Sequence, residues 1–183
     1  MKKQGATALS FDTISASGIR SAMPHGIATD KKIENGDFLT LDFGCVFEGY
    51  CSDMTRTVVV GKANDKQKEI YNTVLKAQTT AIEAIKAGMK CSEVDGVARK
   101  IITDAGYGEN FGHSLGHSVG IEIHENPSFS PKSNAVVQNG NVITVEPGIY
   151  IDGFGGVRIE DLIVVQNGKA VNLTSSPKEL IEI

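Results

Sequence analysis

Four carboxylates sit inside runs that are otherwise apolar. Asp42 closes Phe-Leu-Thr-Leu-Asp-Phe-Gly, Asp53 precedes Met-Thr-Arg-Thr-Val-Val-Val, Glu146 lies in Val-Ile-Thr-Val-Glu-Pro-Gly, and Glu160 in Val-Arg-Ile-Glu-Asp-Leu-Ile-Val-Val. Runs of this kind read as buried strands, and an ionised carboxylate taken out of water costs several kcal/mol unless it is paired. Too few basic residues lie near these four in the chain to neutralise them all. A bound cation is the economical explanation, and the chemistry on offer is metal coordination by carboxylate oxygens.

The elements that must position these acids are hairpins. Asp42 and Asp53 flank Val46-Phe47-Glu48-Gly49, and a hairpin centred between Phe47 and Glu48 sets them opposite each other on one face. Glu146 and Glu160 flank Asp152-Gly153-Phe154-Gly155-Gly156, and a hairpin centred on Gly153 does the same for them unless a bulge shifts it. The two segments are also copies. Ile33 to Gly44 aligns without gaps on Val137 to Gly148, keeping Asn-Gly, a Thr, the acid and the final Gly. After three extra loop residues, Gly49 and Asp53 fall on Gly156 and Glu160. Such a repeat implies two half-domains about a pseudo-two-fold axis, with the four acids meeting between them.

With 183 residues and 40% hydrophobic content, the chain can bury one sizeable core, so residues 1–183 are expected to form a single domain. The net charge of -4 argues against a nucleic-acid or anionic-membrane surface. Cys45, Cys51 and Cys91 are odd in number and include no Cys-x-x-Cys, so neither a disulfide framework nor a thiolate zinc site is indicated. A cytoplasmic location fits best. The residues after Met1 are too polar for a signal-peptide core, and no apolar stretch approaches a membrane span.

Residues 65–87 read as an amphipathic helix with Ile70, Val74, Ala77, Ala81 and Ile85 on one stripe, Asn64 or Asp65 as cap and Gly88 at its end. Ser92 is expected to cap a second helix with Asp95 in the capping-box position and Val94, Val97, Ile101 and Ala105 on the buried face. Strands are expected near 10–16, 37–47, 50–60, 111–124, 141–151 and 156–165. Helices grouped beside antiparallel hairpins make an α+β layer arrangement. The second copy of the repeat is preceded by two helices and the first is not, so the first copy is expected to lack its helix pair.

All four histidines lie in Gly-rich or Pro-adjacent contexts: His25 in Pro-His-Gly, His113 and His117 in Gly-His-Ser-Leu-Gly-His-Ser-Val-Gly, and His124 in Ile-His-Glu-Asn-Pro. The glycines make a helical His-x-x-x-His zinc site improbable. Taken singly, each histidine reads more readily as structural than as a ligand; beside the four acids the balance reverses.

Together these segments resemble the metal-dependent peptidases of the creatinase and methionine aminopeptidase type, the pita-bread enzymes, and within them the Xaa-Pro aminopeptidase and prolidase branch. The resemblance rests on Ser-Phe-Asp-Thr-Ile-Ser-Ala-Ser-Gly (10–18), Pro-His-Gly (24–26), Leu-Asp-Phe-Gly (41–44), Gly-Tyr-Cys-Ser-Asp-Met-Thr-Arg-Thr (49–57), the 111–120 histidine segment, Ile-His-Glu-Asn-Pro (123–127), Val-Glu-Pro-Gly-Ile-Tyr (145–150) and Gly-Val-Arg-Ile-Glu-Asp (156–161). It covers essentially the whole chain. It implies a curved antiparallel sheet covered by helices, with metal ligands Asp42, Asp53, His117, Glu146 and Glu160. Asp53 and Glu160 would bridge two divalent ions, Asp42 would hold one, and His117 with Glu146 would complete the other. Four carboxylates and one imidazole suit manganese, with cobalt or zinc as substitutes.

The implied reaction is hydrolysis of Xaa-Pro bonds, in peptides or dipeptides, by a water activated between two cations about 3.5 to 4 Å apart. Glu146 would shuttle a proton to the leaving nitrogen, and His113 and His124 would stabilise the tetrahedral intermediate and orient the substrate. His25 and Arg158 match substrate-pocket or supporting positions; read on its own, Arg158 equally suits a charge partner for Asp42 or Glu146. Methionine aminopeptidase-like or creatinase-like substrates, or a truncated non-catalytic binding module, are the competing readings. Members of the branch usually carry an N-terminal domain that closes the pocket and contributes to dimerisation, which makes a homodimer one of the assemblies the resemblance implies.

Overall fold

The computed structural model describes residues 1–183. The first half of the chain holds β1 (Ala8–Leu9), β2 (Ile14–Ser17), β3 (Phe38–Asp42), β4 (Cys45–Phe47), β5 (Tyr50–Cys51) and β6 (Thr55–Val59). Two helices follow, α1 (Asp65–Ala84) and α2 (Cys91–Asp104). The second half holds β7 (Gly116–Ser118), β8 (Glu125–Phe129), β9 (Val142–Val145), β10 (Gly148–Ile151), β11 (Gly155–Arg158), β12 (Asp161–Gln166) and β13 (Lys169–Asn172). All pairings between these strands are antiparallel.

The repeat is visible in the strand order. β3 lies between β2 and β6, and β9 lies between β7 and β12 in the same way. Each central strand is entered through an Asn-Gly turn with the glycine at positive φ, 93° at Gly36 and 90° at Gly140. Each turn is closed by the residue after the glycine, whose side chain accepts from the amide three residues earlier: Asp37 from Glu34 at 3.0 Å and Asn141 from Gln138 at 2.8 Å. Duplicated sequence therefore gives duplicated turn chemistry.

The second hairpin has the expected register. Gly148 faces Arg158 and Val145 faces Asp161, which carries Glu146 opposite Glu160. The first hairpin does not. Asp42 faces Thr55, not Asp53, because the turn is Glu48-Gly49 with φ of 49° and 85°, one residue later than expected. Both central residues sit at positive φ, as a two-residue hairpin of the right twist requires, and glutamate is an uncommon occupant of that position. The shift is two residues along the partner strand, so Asp53 stays on the same face as Asp42 but diagonal to it.

The helices follow their caps. Asn64 and Gln67 exchange side-chain and backbone bonds at 2.9 and 3.0 Å, starting α1, and the stripe Ile70, Val74, Ala77, Ala81 and Ile85 is buried. α2 is capped two residues earlier than expected, at Lys90 instead of Ser92. Glu93, not Asp95, closes the cap by accepting from Lys90 N at 3.0 Å, and the buried face is Cys91, Val94, Ala98 and Ile102 instead of Val97, Ile101 and Ala105. Asp95 belongs to that buried face, which a pattern of apolar residues does not reveal.

The segment expected as a strand over 111–124 is strand only at β7. Gly116 is required there, since a Cβ would lie 1.9 Å from the Thr144 carbonyl oxygen on β9. Three strands lie outside the expected ranges, the short β1 among them. β8 carries Pro127 at the sheet edge, where a missing N–H is tolerated, and β13 is joined to β12 by Asn167-Gly168 at φ 50° and 78°.

One apolar core of 25 residues lies between the helices and the second half, where Val74, Val94 and Ile102 meet Ile143, Ile149, Val157 and Ile163; the first half adds Phe38 and Val59. Each such side chain contributes about 1.5 to 3 kcal/mol by leaving water. The two halves meet along β6. Glu160 N donates to Thr55 O at 3.1 Å, Arg158 N donates to Thr57 Oγ1 at 3.1 Å, and Arg56 pairs with the buried Asp161 at 2.7 Å. That seam lies directly beneath the acids.

Candidate metal centre

All nine residues singled out from the sequence line one cavity of about 480 Å³: His25, Asp42, Asp53, His113, His117, His124, Glu146, Arg158 and Glu160. Each is delivered by a different part of the repeat. Asp42 ends β3, Asp53 lies between β5 and β6, His117 is the middle of β7, Glu146 follows β9 before Pro147, and Glu160 links β11 to β12. Carboxylate oxygens of Asp53 and Glu160 and a ring nitrogen of His117 all fall within 4.8 Å of one another. Glu146 Oε1 is 3.3 Å from His117 Nε2, and Asp53 Oδ2 is 3.5 Å from it.

The protonation of His117 decides what this cluster is for. Its Nδ1 donates to Ser118 O at 3.1 Å, and burial holds its pKa below the ordinary imidazole value. A neutral ring with hydrogen on Nδ1 turns the Nε2 lone pair toward two carboxylates, and lone pairs at that separation need positive charge between them. Two buried oxygens point the same way, since Asp42 Oδ1 and Glu160 Oε1 have no hydrogen-bond partner.

The acids themselves report crowding. Burial, followed by the charges of Asp42 and Glu146, pushes Asp53 up to about 8. Glu146 is raised well above the usual carboxylate value by burial and then Glu160, and Glu160 by burial and then Asp53 and Asp42. Without a cation the site holds protons in its place. The donor set, hard oxygens and one imidazole nitrogen, fits divalent ions of the manganese, cobalt and zinc kind.

Arg158 is the one guanidinium lining the cavity. Its Nη2 donates to Asp42 Oδ2 at 2.6 Å, so of the two charge partners considered from sequence it takes Asp42. The same side chain donates to Thr55 Oγ1 at 3.1 Å and to the Tyr150 hydroxyl at 2.9 Å. Thr55 in turn donates to Glu160 Oε2 at 2.7 Å, and Thr144 to Glu146 Oε1 at 2.9 Å. Tyr150 lies 2.9 Å from His113 Nε2, and burial pushes its phenol up to about 12. The His124 ring lies tilted 54° against the His117 ring with centroids 4.3 Å apart, while His25 is exposed at the mouth.

Tyr150, Thr55 and Thr144 were not singled out from the sequence. Thr144 carried a signal, since it is the Thr kept in both copies of the repeat beside the acid. Tyr150 carried one only as the last residue of Glu-Pro-Gly-Ile-Tyr.

The fold is of the pita-bread kind with a cavity suited to divalent ions, and comparison with known proteins gives the family. Residues 1–167 match metallopeptidase family M24, and the chain belongs to that family. It is 54% identical over 181 residues to the Xaa-Pro dipeptidase of Pyrococcus horikoshii, covering 99% of this chain and 52% of that protein. Among solved structures, the Xaa-Pro dipeptidase from Bacillus anthracis superposes with a TM-score of 0.98 at 57% identity, over 100% of this chain and 51% of that one. The X-Pro aminopeptidase from Thermotoga maritima gives 0.96 at 46% identity, over 100% and 52%. The chain spans about half the length of the curated relatives it matches. No helix is long and apolar enough to cross a membrane.

Proposed function

We propose that residues 1–183 act as one domain holding two divalent ions, manganese by preference, through Asp42, Asp53, His117, Glu146 and Glu160, and that it hydrolyses Xaa-Pro peptide bonds. The observation that carries this reading is the His117 Nε2 lone pair turned onto Asp53 and Glu146 at 3.5 and 3.3 Å, beside partnerless oxygens of Asp42 and Glu160. When bound, such ions supply Lewis acidity and bring water into a range where it ionises near neutral pH.

The chain's own groups supply the rest. Glu146 lines the cavity, where as a proton shuttle it would take the proton released by the attacking water and pass it to the leaving nitrogen. Arg158 pairs with Asp42 and fixes the Tyr150 hydroxyl, while His124 and His25 orient a peptide entering from the mouth. Phe11, Ile14, Ile27 and Ile123 give the cavity an apolar wall suited to a pyrrolidine ring. A proline nitrogen offers no N–H, so its recognition must rest on such shape contacts. Relatives named as dipeptidase and as aminopeptidase are both close, which leaves peptide length as the variable to measure. The three thiols, none in a disulfide, accord with a cytoplasmic setting.

The test is calorimetric titration of the metal-free chain with Mn²⁺, followed by assay on Xaa-Pro dipeptides, Xaa-Pro tripeptides and a Met-Ala peptide. Two ions bound with release of Xaa from the proline substrates alone supports the reading. Two ions bound with no turnover of any proline peptide would leave a binding module in its place.

A further inference from the structure

Residues 111–115 carry His113 into the cavity and lie outside the strands, with one backbone bond to the sheet side, Glu146 N donating to Leu115 O at 2.8 Å. A side-chain pair on α2 holds the rest. Arg99 Nη1 donates to Phe111 O at 2.9 Å and Nη2 to His113 O at 2.9 Å, while Asp95 Oδ1 accepts from Leu115 N at 3.1 Å. The two side chains are locked together, Arg99 Nε to Asp95 Oδ2 at 2.7 Å and Nη2 to Oδ1 at 3.0 Å. The guanidinium also lies 4.3 Å from the centroid of the Phe111 ring, and the Phe111 and His113 rings meet nearly perpendicular with centroids 5.1 Å apart. Asp95 is 1% exposed, so this carboxylate is spent wholly inside the protein.

The result is a single orientation for one imidazole. His113 Nδ1 donates to Ser114 O at 2.8 Å, and burial lowers the ring's pKa to about 4, so at neutral pH its Nε2 carries no hydrogen and accepts from Tyr150. Arg158 donates to the same hydroxyl, which leaves the phenolic hydrogen free to point at His113.

We propose that Asp95 and Arg99 are positioning residues that hold the 111–115 segment so that His113 is presented to the cavity in one orientation and one tautomer. Their effect on turnover rests on the peptidase reading above; their effect on His113 does not. His117 is insulated from them by its own anchors, its N–H on Thr144 Oγ1 at 3.0 Å and its Nδ1 on Ser118 O.

Nitrogen NMR of ¹⁵N-histidine-labelled chain, loaded with Zn²⁺ and with His113 assigned through His113→Gln, reads the tautomer directly. The unmodified chain should show separate signals for a protonated Nδ1 and a bare Nε2. In Arg99→Met these should move toward an averaged pair, and kcat/KM on an Xaa-Pro peptide should fall about 10- to 100-fold, the usual range for supporting residues of a metal site. Arg99→Lys should not rescue, because one ammonium cannot span two carbonyls and a carboxylate. Zn²⁺ affinity should stay within about threefold of the unmodified chain, a small part of that supporting-residue range. Asp95→Asn, which keeps volume and shape, serves as the second variant if Arg99→Met fails to fold. Unchanged His113 signals in the folded variants, or metal affinity falling in step with turnover, would overturn the proposal. An unmodified chain that cleaves no Xaa-Pro peptide would overturn the functional reading while the tautomer result stood on its own.

Discussion

The hairpin that ends in Asp42 and the hairpin that ends in Glu146 share turns, strand order and a threonine two residues before the acid, yet they handle charge differently. In the first half Asp42 is met by Arg158 reaching across from the second half at 2.6 Å. In the second half Glu146 has no guanidinium; it faces His117 and accepts from Thr144. The repeat shows where the difference arose. Ala16 lies opposite Thr40 as His117 lies opposite Thr144, so an imidazole occupies one position of the pair and a methyl group the other. The register differs too, since the residue opposite Asp42 is Thr55, whose hydroxyl bonds Glu160. Duplication sets acids on two facing ribbons, and a few unlike residues at matched positions divide them into one neutralised carboxylate and three that are crowded.

Removing a crowded acid should have the largest consequence. Asp53→Asn deletes a charge from the group formed with His117 and Glu160, and Lewis-acid stabilisation of several kcal/mol corresponds to a loss on the order of a thousandfold in kcat/KM. Steady-state assay on an Xaa-Pro peptide in saturating Mn²⁺ checks it; activity within tenfold of the unmodified chain would remove Asp53 from the ligand set.

Breaking the neutralised acid should register in stability. Arg158→Met leaves Asp42 buried with neither oxygen partnered by an arginine, and loss of one member of a buried pair costs about 3 to 5 kcal/mol. Denaturant unfolding of the metal-free chain measures it. The metal-bound chain should lose less, because the ion takes over part of the neutralisation.

The three crowded acids also fix how the metal-free chain responds to pH. Asp53 is raised to about 8, with Glu146 and Glu160 raised as well, so the folded chain binds more protons than the unfolded one. Groups whose folded pKa lies above the unfolded value stabilise below the unfolded pKa of about 4 and lose that effect as pH rises toward the folded value. In EDTA the unfolding midpoint should therefore fall between pH 5 and pH 8. With Mn²⁺ present the carboxylates ionise to bind it, affinity rises with pH, and the downward slope should disappear. A midpoint that rises with pH in EDTA would show that the acids are neutralised by something other than protons.

Much of this was legible because burying charge is costly. Acids in apolar runs at Asp42, Asp53, Glu146 and Glu160 announced a shared cavity, and the Gly153-centred hairpin gave the Glu146 and Glu160 pairing directly. The first hairpin was misread because Glu48 adopts a conformation that pattern reading reserves for glycine. The 111–115 segment was misread as strand because Phe111 O, His113 O and Leu115 N are bonded by side chains on α2, the first two by Arg99, 12 and 14 residues earlier. Such partners leave no periodicity. Tyr150 escaped for a related reason: an aromatic in a strand reads as core until Arg158 and His113 are seen on its hydroxyl.

The finest cut between the halves uses the threonine they share. Thr144 Oγ1 accepts from His117 N and donates to Glu146 Oε1, touching two candidate ligands at once, whereas Thr40 Oγ1 meets only Thr57 Oγ1 at 3.2 Å. Thr144→Val should lower Mn²⁺ affinity about 10- to 100-fold, as loss of a supporting contact does at metal sites. Thr40→Val should cost about 1 kcal/mol of stability, the worth of one hydrogen bond, and leave affinity unchanged. Equal losses of affinity in the two variants would mean that the halves share the ions evenly and that His117 does not set the second half apart.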